Sequence, residues 1–173
     1  MRLAFWKKKD LPPQLEILSW NFMVHATDPD RCWEDAQLFR ATELPTNART
    51  CEVSFLMGSI VRKAIRDLIP EPKQRACVTS AEAAYFKTFD DQSEEPLPPE
   101  MVAVYGAITL GHVARIALAE YGEGDDQLYL SRSVLVRRLK GDPRMAYEIA
   151  PLIEERAKTL TSAFSQVLRQ CNA

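Results

Sequence analysis

The stretch "MVAVYGAITLGHVARIALAEY", residues 101–121, decides how the whole chain reads, because almost every residue in it is apolar or small. As one helix, Met101 to Ala119 would span about 30 Å, enough to cross a bilayer. Its composition argues otherwise. Arg115 would cost roughly 2.5 to 3.5 kcal/mol near a bilayer centre, Gly and Ala add little hydrophobicity, and both flanks are acidic rather than basic. The stretch is therefore expected to be a buried helix of a helical bundle.

At 100° per residue this helix separates two faces. Ala103, Gly106, Ala107, Leu110, Gly111, Ala114, Ala117 and Leu118 form a nearly bulk-free side that lets another helix approach closely. Tyr105, Ile108, Thr109, His112, Arg115, Ile116 and Ala119 gather on the other. A buried arginine needs partners, so part of this second face must meet solvent, a ligand or another chain. Two accounts stand. Tyr105, His112 and Arg115 line a pocket for an anionic ligand or hold a partner's carboxylate, or else His112 bonds to a neighbouring helix while Arg115 reaches the surface and pairs with an acid such as one in "SEEP".

Outward from this stretch, apolar residues recur at intervals of three and four, the helical period. Helices are expected after Pro12-Pro13, from Pro29 with Thr27 or Asp28 as its cap, over Thr46–Ile69, from about Gln74 to Phe89, from Gln127 to Lys140, and from Asp142-Pro143 onward. In the third, Val53, Leu56, Met57, Ile60, Ala64 and Leu68 face a core while Glu52, Ser59, Arg62, Lys63 and Arg66 fall mainly opposite. The acids and prolines of "DDQSEEPLPPE" predict an exposed loop over 90–99. The last helix carries a seam of Ile149, Ile153, Ala157, Leu160, Phe164, Val167 and Cys171, and Pro151 should kink it. The expected fold is an all-α single domain over residues 1–173, six or seven helices around a central helix at about 101–121. Residues 1–11 are expected to form a mobile N-terminal segment. "DPDRCWEDA" at Asp28 echoes "DPRMAYEIA" at Asp142, through shared capping chemistry or an old duplication.

Composition narrows function. The chain has 173 residues, net charge −2 and 46% hydrophobic residues, ordinary values that argue against extensive disorder and against bulk attraction to nucleic acid or anionic membranes. Cys32, Cys51, Cys77 and Cys171 show neither zinc nor redox spacing, and the apolar run Leu3 to Trp6 is too short for a signal peptide, so a cytoplasmic protein with reduced thiols is expected. His25, Asp28, Asp30 and Cys32 straddle a helix start and do not converge as metal ligands. No metal or cofactor is expected. Two basic stretches remain, "FWKKKD" with Lys7, Lys8 and Lys9, and the run with Arg132, Arg137 and Arg138, as surface patches for weak membrane or nucleic-acid contact. With no recognisable catalytic motif, the expected function is a non-catalytic interaction module, an adaptor or regulator binding another protein or itself. The alternatives are an anion-binding bundle, then peripheral membrane or nucleic-acid association.

Overall fold

A computed structural model describes residues 14–39, 42–92, 96–122 and 126–171. Lys7, Lys8 and Lys9, the expected N-terminal segment and the Cys171 side chain lie outside the described residues. The all-α bundle is borne out, with no strand among the described residues. In chain order the helices are α1 (Gln14–Ala26), α2 (Pro29–Ala36) followed by a 3-10 turn (Gln37–Phe39), α3 (Thr46–Leu68), α4 (Gln74–Asp91), α5 (Pro99–Tyr105), α6 (Leu110–Tyr121), α7 (Gln127–Arg138) and α8 (Met145–Cys171).

The α2 start follows the expected chemistry. Asp28 Oδ1 accepts from the Asp30 backbone N–H at 2.8 Å, and Pro29 occupies the first turn, where a missing N–H costs nothing. Asp142 Oδ1 accepts from the Arg144 N–H at the same 2.8 Å, so the two Asp-Pro echoes share local chemistry. Past Asp142 the helix itself begins only at Met145.

The centre of the bundle is α3, not the 101–121 stretch. Every residue from Glu52 to Arg62 is buried, and α1, α2, α4, α6, α7 and α8 all pack against the helix. Glu52, Ser59 and Arg62 are not on a solvent face. Burying them is tolerable because each finds partners. Ser59 Oγ donates to Leu56 O (2.8 Å), and nearby Ser54 Oγ donates to Thr27 O (2.7 Å). The side chains of Phe55, Ile60 and Ile65 are wholly inside, each adding roughly 1.5 to 3 kcal/mol. Gly58 makes room for the buried Tyr85 ring, whose hydroxyl donates to Ala114 O at 3.2 Å and ties α4 to α6.

The helix expected over 101–121 is broken. Gly106 stands at φ 78°, ψ −171°, a conformation essentially restricted to glycine, and ends α5; Thr109 then caps α6 by accepting from the His112 N–H at 3.3 Å. Wheel positions hold within α6, where Leu110, Gly111, Ala114, Ala117 and Leu118 are buried as expected, but they do not carry across the break. Ala103, Gly106 and Ala107 are exposed.

Two further expectations change. The acidic loop is shorter than 90–99, since α4 runs on to Asp91. Along α8, Ile149, Ile153, Ala157 and Phe164 are buried in the bundle, whereas Leu160 and Val167 of the same seam are half-buried. Pro151 sits within α8 without ending it.

Candidate functional site

The segments α5 and α6 form a bracket that packs Met101, Leu110, Val113, Ala114, Ala117 and Leu118 into the core and is also tied to the bundle by polar contacts. At one end, Tyr105 Oη donates to Glu52 Oε1 at 2.8 Å and lies 3.2 Å from Ala48 O, both on α3. Glu52 is 1% exposed, and Arg138 of α7 grips it at two points, Nε to Oε2 at 2.6 Å and Nη2 to Oε1 at 3.1 Å. The same guanidinium donates through Nη1 to Glu120 Oε2 of α6 at 2.6 Å and lies 5.5 Å from the Phe55 ring centroid. At the far end, Arg62 of α3 donates to Leu118 O (3.0 Å) and to Gly122 O, placing a cation against the negative C-terminus of α6, with Glu82 3.3 Å away.

Burial pushes the Glu52 carboxyl up from its ordinary value, opposed by the charge and hydrogen bonds of Arg138 and by Tyr105. Burial likewise raises the Tyr105 hydroxyl, and the neighbouring Glu52 charge raises it further. Tyr105 therefore stays a protonated donor. These groups are occupied with one another, which makes them a clamp rather than a reacting set.

The outward side of the bracket carries apolar residues among polar ones. Val102, Ile108 and Ile116 are 39%, 40% and 42% exposed, joined by exposed Ala103, Ala107 and Ala119. His112 is exposed beside Ile116 on α6. Arg115, also exposed, makes a two-point bond to Asp90 of α4 (2.8 and 2.7 Å), with its guanidinium carbon 4.7 Å from the Phe86 ring centroid. The surface reading of Arg115 thus holds, with Asp90 as its acid, while Glu94 and Glu95 of "SEEP" lie outside the described residues.

The expected trio does not converge. Tyr105 turns inward to α3, before the helix break at Gly106, while His112 and Arg115 are exposed on α6. The second basic run also disperses: Arg132 stacks on Tyr129 at 3.9 Å, and Arg137 pairs with Glu120 at 3.3 Å. Arg138 is 11% exposed and buried in its ion pair, so it is no surface charge.

Sequence reasoning missed Glu52 as a partner because it assigned α3 one wet face. The usable signal was length and position: a 23-residue helix with apolar residues on most of its turns is a candidate for all-round burial. Among the described residues no group of three or more His, Cys, Asp and Glu is placed to hold a metal ion. Compared with protein-family models, curated proteins and solved structures, the chain matches none.

Proposed function

We propose that the protein is a non-catalytic helical interaction module that takes a partner protein on the outer side of the α5–α6 bracket. One observation carries this reading: on the outer side of α5, α6 and the break between them, Val102, Ile108 and Ile116 stay about two-fifths exposed beside exposed Ala103, Ala107 and Ala119.

The magnitudes set the scale of such an interface. Finishing the burial of Val102, Ile108 and Ile116 contributes on the order of 2 to 4 kcal/mol in all. Micromolar affinity needs about 8 kcal/mol, so the partner must also cover the surrounding alanines and meet a rim containing Thr109, His112 and Arg115. Self-association through this face is one form of the same proposal.

The test pairs the native chain with an Ile108→Asp, Ile116→Asp variant. Light scattering at increasing micromolar concentration and affinity capture should give a complex with the native chain that the variant loses, at unchanged melting temperature. A native chain that stays monomeric and captures nothing the variant does not capture equally well ends the proposal.

A further inference from the structure

On the opposite side of α5 from the exposed face, an open cleft of about 360 Å³ lies between α2, α3, α4 and α5. Phe89, Leu97, Met101 and Leu110 supply apolar wall, and Trp33 stands at it, 51% exposed. A volume near the lower end for ligand sites suits a small molecule such as a single ring with a short polar arm.

Among the described residues the polar side chains of this wall are neutral except for the Asp30 carboxylate. Thr50 Oγ1 donates its only hydrogen to Thr46 O (3.0 Å), and Ser54 Oγ donates its own to Thr27 O (2.7 Å). Each hydroxyl is left with lone pairs to offer. The amides of Asn47 and Gln92 and the Asp30 carboxylate also line the pocket, and among the described residues no Lys, Arg or His does. Cys51, at the same wall, has its thiol pushed up to about 12 by burial and by the adjacent Glu52, so it supplies no anion. A carboxylate or phosphate would therefore meet the Asp30 charge with only neutral amide donors to hold it, whereas an ammonium group would meet hydroxyl acceptors, a carboxylate and the Trp33 ring.

We propose that this pocket binds a small aromatic or aliphatic amine, its apolar part against Phe89, Met101 and Leu110 and its N–H donors turned to the Thr50 hydroxyl and the Asp30 carboxylate. This site is separate from the outer face of α5–α6 and stands or falls without it. It also reverses the ligand charge expected from the sequence.

The probes are 2-phenylethylamine and phenylacetate, which share a ring and differ in the charge they carry, each titrated into the full chain by thermal shift and calorimetry. The amine should raise the melting temperature saturably while the acid does not. Thr50→Val and Trp33→Leu should each weaken amine binding about fivefold to tenfold. Trp33 is half in solvent, so its replacement decides the matter even where Thr50→Val fails to fold. Equal response to both probes, no saturable response to either, or full amine binding by Trp33→Leu would overturn the proposal.

Discussion

Arg138 of α7 holds Glu52 of α3 by a two-point bond, 2.6 and 3.1 Å, inside a bundle where Glu52 is almost wholly shielded from water. Through Glu120 and Tyr105 the same pair anchors both α6 and α5. The bracket is held by the buried apolar side of α6 and Met101 of α5 together with these polar contacts, and its outer side chains take no part in that burial.

Breaking the pair should be far more damaging than replacing it. Arg138→Met leaves a buried carboxylate with one neutral donor, and a loss of about 3 to 5 kcal/mol is expected in urea unfolding. Glu52→Leu combined with Arg138→Met removes both charges and should recover much of that loss. A loss below about 1 kcal/mol for Arg138→Met alone would mean that the pair behaves as a surface contact does.

Gly106→Ala isolates the cost of the break. A Cβ there would meet nothing within 4 Å, so the penalty comes from the backbone at φ 78° alone. Destabilisation by about 1 to 3 kcal/mol is expected, with circular dichroism unchanged once folded. If α5 and α6 were instead one helix, the alanine would stabilise by up to roughly 1 kcal/mol.

Cys32 and Cys51 should resist alkylation. Burial pushes both thiols up to about 12 from an ordinary value near 9, so almost none of either is thiolate at pH 8. Peptide mapping after iodoacetamide should find these two modified only in denaturant. The stability term has a definite sign. Folded values above the unfolded one make the neutral thiols stabilising below pH 9, and that contribution is lost as pH rises through about 12. Rapid alkylation of native Cys32 at pH 8 would contradict this.

Much of the fold was legible because the helices announce themselves by period and punctuation. Asp28-Pro29 marks the start of α2, and the residues from Thr46 to Leu68 carry a continuous helical pattern. Two things were not legible. Gly106 is ambiguous in sequence, since a glycine among alanines serves close packing and a helix break equally well, and only the backbone angle separates them. The Glu52–Arg138 pair spans helices far apart in the chain, and a charged residue on a predicted polar face gives no sign that another helix covers it. Arg115 was legible in part: its surface pairing followed from the cost of burying it, but the acid it meets depends on where α4 ends.

The central claim, that the outer α5–α6 side is a docking face for a protein, is tested most directly by site-resolved photo-crosslinking in cells. A photoreactive residue would replace Ile108 or Ile116 on that face, and exposed Lys158 on α8 as control. The account predicts the same discrete adduct from both isoleucine positions and none from 158. Adducts of equal yield from all three positions, or from none, would contradict it.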